Sequence, residues 1–421
     1  MRKNINNILK AYILSIMRQI LFVYVLMITA ITLNAQQSYE ITNSLTLKNQ
    51  DCELTKTTII LPVPQSNNYQ EIANFKYSSG EILDIENSQN QYLRDLKSLA
   101  LPSKGDIYSL TENFNITLYP MHIDMKQFKK IYPYNTQSEI YKRYTANKGE
   151  YIDTGNARIK EISDNLWNES KGNIIDYARR CYEHVGANYK YLNPNTGIHE
   201  IAAILSAGGG DCGNLASIFV NLLRAKQIPA RHIVTVRPNG TFHVWADFYL
   251  EKYGWIPVDA NMKLDHPEGD YFGYCRGDGI VMSEDVCHPV EPEPGQTFNT
   301  AILQNFLYWY RCSAGTKVMT IHHIEGKPIQ LPTDPVVSDV GSSKATLEWK
   351  EIKGATNYRI KLYEKNGKAL MQTKNVKATK THISLKNMKP MTEYTIQLIP
   401  IRQVENIETQ MNTYTVHFKT V

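Results

Sequence analysis

No segment limits the fold of this 421-residue chain more than residues 214–225. The run from Asn214 through Leu215, Ile218, Phe219, Val220, Leu222 and Leu223 to Ala225 is apolar around nearly the whole circumference of a helix. A helix of that kind must have protein packed on every side. Gly208, Gly209 and Gly210 supply a flexible approach and Pro229 follows its end, which sets a start near Asp211. Strand patterns follow over residues 231–236, 243–250 and 255–258, and upstream Ile174, Tyr177, Ala178, Cys181 and Val185 recur at helical spacing. A buried helix packed between a second helix and a sheet predicts an α+β core.

The remaining length is too great for that core alone, since domains hold roughly 150 residues. Apolar residues make up 42% and charged residues 21%, with 27 Tyr, which excludes disordered, collagen-like and multi-span membrane chains. Period-two alternation marks strands at residues 40–47, 54–61, 75–77, 81–85, 107–110 and 113–119, predicting an N-terminal β-sandwich. Pro62 and Pro64 end one of them, because proline cannot donate to a ladder. Residues 289–294, with Pro289, Pro292 and Pro294, read as a semi-rigid loop, and strands resume over 302–319. Past Pro332 the alternation returns at 345–349, 358–363 and 395–399, an all-β pattern filling the rest of the chain. The expected organisation is a leader at 1–35, an N-terminal β-sandwich at 36–150, the α+β segment at 151–330 and a second sandwich at 331–421.

The formal charge of +5 belongs mostly to the leader, whose Arg2, Lys3, Lys10 and Arg18 meet no acid. Beyond residue 35 there are 42 bases against 41 acids. The uncharged run from Gln19 to Leu33 ahead of Ala35 reads as a secretory signal cut after Ala35. The run is shorter than the ~20 apolar residues a spanning helix needs. The mature chain is therefore expected to be secreted, to periplasm, cell surface or medium, with no membrane span. Six cysteines are too sparse for a disulfide-built scaffold, and Cys275 with Cys287 is the one sequence-near pairing candidate. There is no CxxC pair, and His322 and His323 lack partners at zinc-site spacing, so neither metal nor other cofactor is expected. The glycine run 208–210 lacks the Lys-Ser/Thr of a nucleotide loop, and no basic run interleaves with aromatics, which argues against nucleotides and nucleic acid.

Three short patterns in order can carry chemistry: Gly210-Asp211-Cys212, His243-Val244-Trp245 and Gly254-Trp255 with Asp259. Cys212 falls at a loop-to-helix transition, where amide donors and the helix dipole favour a thiolate. His243 opens one strand and Asp259 ends the next, so an antiparallel pair would bring imidazole and carboxylate to one end of a sheet. Cysteine supplies a soft nucleophile, histidine moves the proton, and a carboxylate fixes the imidazole tautomer. The Cys212 amide is a candidate oxyanion donor, with Ser206 and the Tyr189/Tyr191 region as candidates for the second. Trp245 and Trp255 read as core or cleft wall, Arg224, Arg231 and His232 as structural, and Asp211 as a helix-start residue whose charge must point away from Cys212.

These motifs, with Arg224 followed by Ile228-Pro229-Ala230-Arg231, resemble the transglutaminase-like superfamily over residues 156–325. The resemblance implies a papain-like core and a Cys212–His243–Asp259 triad. It further implies a cysteine-dependent amide hydrolase acting on protein or peptide through a thioester. Glutamine–amine crosslinking and non-catalytic binding on the same fold are the alternatives. Residues 332–421 resemble a fibronectin type III domain, with Trp349 in its core. There Leu385, Met388, Pro390, Thr392 and Tyr394 match a tyrosine corner. Such a module is expected to act as a spacer or as a surface contacting protein or glycan.

Overall fold

The computed structural model describes residues 37–421 apart from 51–53, 99–100, 102, 194–195, 313–317, 330–333 and 365–368. The expected leader and Cys52 lie outside the described residues. The first β-sandwich begins with the strand Gln37–Asn49, in which Ile41, Leu45 and Leu47 are buried between less buried neighbours. That alternation is what places one face of a strand on a core. Its sheet runs Val318–Pro328, Gln37–Asn49, Ile107–Leu118, Gln70–Tyr77. The facing sheet runs Leu307–Cys312, Leu54–Val63, Gln91–Lys97, Glu81–Asp84. Leu45, Leu47, Ile59, Leu61, Leu93 and Leu110 fill the space between them.

Three features differ from the sequence reading. Strands at 307–328 complete the N-terminal sandwich, with Leu45 opposite His322 and Ile59 opposite Tyr308. Ile107–Leu118 is one strand where two were read, because the apparent polar break contains Glu112, which is buried within the sheet. Residues 289–293 lie in the strand His288–Glu293, paired with Gln296–Thr300, where a loop was expected, and Pro294 stands in the turn between the two strands. That pair forms a two-stranded sheet of its own, and a register shift between Val290 and Glu293 spans Pro292. Proline is tolerated at such irregular edges.

The middle segment packs helices Ala157–Glu169, Ile174–Asn188, Ile201–Ala207 and Cys212–Ala225 against a sheet. The sheet order is Gly254–Val258, Phe242–Leu250, Ala230–Val236, Ile280–Glu284. Every residue from 213 to 224 of the last helix is buried, as its all-round apolar sequence requires. The glycines before it serve close approach more than flexibility. Gly209 sits at φ 149°, and a Cβ there would overlap the carbonyl oxygen of Lys190 in the short parallel pairing 190–191 with 209–210.

The C-terminal sandwich buries Trp349 against Tyr358, ring centroids 5.3 Å apart, and its Tyr394 hydroxyl accepts the Lys389 amide at 2.8 Å. Those are the buried Trp and tyrosine corner that its sequence pattern predicts. Its larger sheet does not stop at the module. The strand Ile407–Gln410 pairs with Met121–Ile123, which pairs with Tyr274–Cys275 of the middle segment. Val404 and Ile407 also belong to the hydrophobic cluster of the middle segment. Among the described residues no helix is long and apolar enough to cross a membrane.

Candidate active site

The helix Cys212–Ala225 begins at the cysteine itself, with Asp211 as its N-cap. The Asp211 carboxylate accepts the Asn214 amide at 3.1 Å and the Gly197 amide at 2.9 Å, so it is occupied by the helix start and the preceding loop. Burial holds its pKa above the ordinary range, against the lowering effect of those amides. Asn214 secures the same loop, donating to Gly197 O at 2.8 Å and accepting the His199 amide at 3.0 Å. These contacts fix the backbone from which the thiol projects. Cys212 is partly exposed, and its amide lies in the first helical turn, where N–H groups have no intrahelical partner.

His243 and Asp259 lie on neighbouring antiparallel strands or just past them, the pairing running Ala246 to Val258. His243 Nε2 is 2.7 Å from Asp259 Oδ2, and both residues are buried. With Nε2 committed to Asp259, Nδ1 is the ring nitrogen left for Cys212, whose side chain is near enough to help raise the His243 pKa. Burial alone would lower the imidazole pKa. The Asp259 charge, then hydrogen bonds to Asp259 and Cys212, outweigh it and raise the pKa to about 10. At neutral pH the ring is therefore an imidazolium held between the Asp259 carboxylate and the Cys212 sulfur.

The structure places His243 against Asp259, with Cys212 close to the same imidazole. Trp245 walls a recess beside His243 and Asp259, along with Met262, Tyr274 and Cys275. Trp255 is a core residue, edge-on to Tyr144 at 4.9 Å and covered by the Arg231 guanidinium at 3.9 Å. Arg231 joins Asp247 (3.0 Å) and Glu284 (2.5 Å) in a buried charge network that Tyr69 of the first sandwich closes through Asp247 at 2.6 Å. Arg224, fully buried, binds Asp285 at 2.6 Å and the carbonyls of Ala230 and Ala146. His232 bonds Ser217 at 2.9 Å, and burial lowers its pKa to about 4, a structural histidine kept neutral.

Of the candidate oxyanion donors, Ser206 is exposed on the preceding helix, whereas Tyr191 pairs through its backbone with Gly210, two residues before Cys212. Cys275 and Cys287 are both free thiols, so the one candidate disulfide is not formed. Cys275 is buried beside the recess, and Cys287 Sγ donates to Lys148 O at 3.3 Å. Among the described residues no group of three or more His, Cys, Asp or Glu side chains is arranged to hold a metal ion.

A papain-like α+β core with a cysteine at a buried helix start defines a class of cysteine-dependent acyl-transfer folds. Residues 160–260 match the family model of the transglutaminase-like superfamily, and residues 330–415 match the fibronectin type III domain. The chain carries a transglutaminase-like core followed by a fibronectin type III sandwich, which supports a cysteine-dependent hydrolase or transferase. An uncharacterised protein of Haemophilus influenzae is 22% identical over 54% of this chain and 70% of its own length. Among solved structures, a protein of Cytophaga hutchinsonii proposed to be a cysteine protease aligns over 72% of this chain and 94% of its own. It is 14% identical, with a TM-score of 0.48. A fibronectin type III domain of human collagen XX aligns over 21% of this chain and 88% of its own, 23% identical, TM-score 0.19.

Proposed function

We propose that this protein is a cysteine-dependent amide hydrolase of peptidase or isopeptidase type. The observation that carries the reading is the 2.7 Å pairing of His243 with Asp259, with Cys212 near enough to influence the same imidazole. The Cys212 thiolate attacks the amide carbon, and the charge that develops on oxygen is met by the Cys212 amide at the positive end of the helix. His243 passes its proton to the leaving amine as the C–N bond breaks, which leaves a thioester on Cys212. Water then attacks the thioester, His243 takes up its proton, and the carboxylic acid departs. Asp259 keeps the imidazole oriented and offsets its charge throughout.

An amine in place of water would make the same intermediate a crosslinking one. Hydrolysis is favoured because water at high concentration resolves an accessible thioester, and Cys212 is partly exposed. Secretion belongs to the same proposal. The first strand begins at Gln37, so cleavage after Ala35 would leave it whole.

The test pairs a chloroacetamide- or iodoacetamide-type probe with a glutamine peptide and a labelled amine. Alkylation of Cys212 faster than free cysteine, abolished in Cys212→Ala, together with acid or ammonia release, is the expected result. Alkylation no faster than free cysteine and unchanged in Cys212→Ala would sink the catalytic reading. Amine incorporation in excess of ammonia release would replace hydrolysis by transfer.

A further inference from the structure

A groove of about 830 Å³ lies where all three parts of the chain meet, reaching from Tyr39 of the first sandwich to Asn412 of the last. It shares Arg237, Tyr274, Arg276 and Asp278 with the recess that His243 and Asp259 line, so the two are continuous. Four consecutive residues of its lining, His323 to Gly326, belong to Val318–Pro328, which is the edge strand of its sheet among the described residues.

The direction of that edge follows from two hydrogen bonds. The Ile329 amide donates to Ser38 O of the neighbouring strand at 2.8 Å, so odd-numbered residues turn their backbone groups inward to the sheet. The Gly326 amide donates instead to Pro238 O, at 2.9 Å, in the turn of the hairpin that carries His243. Backbone N–H and C=O groups alternate sides along a strand, and the register with Gln37–Asn49 runs without a bulge. The amides and carbonyls of Ile324, His322 and Thr320 therefore face away from the sheet, next to the Gly326 contact. Gly326 permits that close approach, since a Cβ there would overlap the Pro238 side chain.

The side chains around the groove do not select strongly by charge. Asp278 sits 3.0 Å from Arg237 and 3.6 Å from Arg276, while His323 and Glu325 face each other at 3.6 Å. What the groove offers a ligand is the outward backbone of Ile324, continued beyond it along the open edge by that of His322 and Thr320, beside aromatic Tyr39 and Tyr274. Only another extended backbone complements such a row. We infer that the groove is an exosite in which an extended polypeptide substrate adds a strand to Val318–Pro328, holding a segment remote from the amide that is cut. This rests on the amide-hydrolase reading of Cys212 for its catalytic consequence, and the substrate class it names is unfolded or extended polypeptide, recognised by main chain.

The experiment uses the full chain with Cys212→Ala, which removes turnover, and a fluorescent extended peptide of about 15 residues. At about 3.3 Å per residue such a peptide spans well beyond one active site. A twin peptide, N-methylated at alternate residues, has lost the donors along one edge. Anisotropy is expected to show binding of the parent peptide and roughly tenfold weaker binding both of the twin and in a protein that adds Ile324→Pro, the equivalent of one hydrogen bond. Proline at an outward position of an edge strand is tolerated in native sheets. If the variant nonetheless fails to fold, the two peptides on the Cys212→Ala protein decide. Equal affinity for both peptides, or an Ile324→Pro protein that binds the parent unchanged, overturns the exosite. With Cys212 restored, the exosite requires a raised KM and unchanged kcat for the long peptide in Ile324→Pro, with a peptide of about four residues unaffected. Binding without any turnover would defeat the hydrolase reading and leave the polypeptide site standing, so the two failures are distinct.

Discussion

The carboxylate of Asp259 ties His243 to the start of a helix: Oδ2 lies 2.7 Å from His243 Nε2, while Oδ1 accepts the Met262 amide at 3.0 Å. One side chain thus caps the helix Ala260–Asp265 and orients the imidazole, and a single substitution can separate the two tasks. Asparagine is as good an N-cap as aspartate, but it cannot offset an imidazolium. Asp259→Asn should lower kcat/KM by roughly 10²–10⁴ with an unfolding midpoint nearly unchanged. Asp259→Ala should add a stability loss of about 1 kcal/mol. Urea unfolding and peptide turnover measured on the same samples check both parts, and an active Asp259→Asn would remove Asp259 from the mechanism.

The charge state of His243 gives a pH signature. Its pKa is raised from 6.5 to about 10, with the Asp259 charge the chief cause overcoming burial. The folded protein keeps a proton that the unfolded chain gives up above 6.5. This contribution to stability is therefore full below 6.5 and is lost as pH rises through about 10. The alkaline limb of kcat/KM should fall near pH 10 in the parent. In Asp259→Asn, where burial is no longer opposed by that charge, it should move down by more than a unit. A limb that stays in place would mean that another group controls it.

Glu112 makes a prediction of the same sign over a lower pH range. Burial raises its pKa from 4.5 to about 8, against the lowering effect of the hydrogen bond from Asn43 Nδ2 at 2.7 Å, and Oε2 has no partner. Here the unfolded chain loses its proton first, so stability is full below about 4.5 and declines as pH rises through about 8. Glu112→Gln should flatten this decline and leave the variant the more stable protein at pH 8.5, by a few kcal/mol at most. Denaturant unfolding at pH 5 and pH 8.5 measures it, and parallel pH profiles would show that Glu112 is not the group responsible.

Arg231 is surrounded by Asp247, Glu284 and the Trp255 ring in a buried site. Replacing it with leucine strands two carboxyl groups away from water, a change that costs about 3–5 kcal/mol. Burial already raises the Asp247 pKa to about 6 with Arg231 present. Below that value protonation of Asp247 relieves part of the penalty, so the deficit of Arg231→Leu should shrink between pH 7 and pH 5. A loss under 1 kcal/mol at pH 7 would contradict the network.

The candidate cluster was legible because each member sits at the boundary of a locally patterned element: Cys212 before an all-apolar helix, His243 and Asp259 at strand ends. The residues that were not legible depend on distant pairing. Gln91–Lys97 holds Arg94 and Asp95 buried, so its strand lacks clean alternation. Nothing local in Val318–Pro328 indicates a partner some 280 residues earlier, since strand pairing leaves no mark on either sequence alone. The groove is hidden for the same reason, because it exists only once that strand meets the hairpin turn at Pro238.

The C-terminal module is expected from its sequence to be a spacer or a binding surface, and its contacts argue against a tethered spacer's behaviour on truncation. Its sheet continues through Met121–Ile123 to Tyr274–Cys275, the second of which walls the recess beside His243. Gln127 exchanges two hydrogen bonds with the Glu408 backbone, both at 2.9 Å, and Asn406 Nδ2 donates to Lys252 O at 2.7 Å. Val404 and Ile407 are buried in the middle segment's own cluster. Ending the chain at residue 331 would uncover that apolar surface, at about 25 cal/mol per Å², and remove the ladder partner of Met121–Ile123. A tethered spacer would leave the rest unaffected. The integrated module predicts instead that the truncated protein unfolds at a lower temperature and turns over peptide more slowly, with faster amide exchange at Met121–Ile123 and Tyr274–Cys275. Equal melting temperature and kcat/KM in the two proteins would establish the spacer after all.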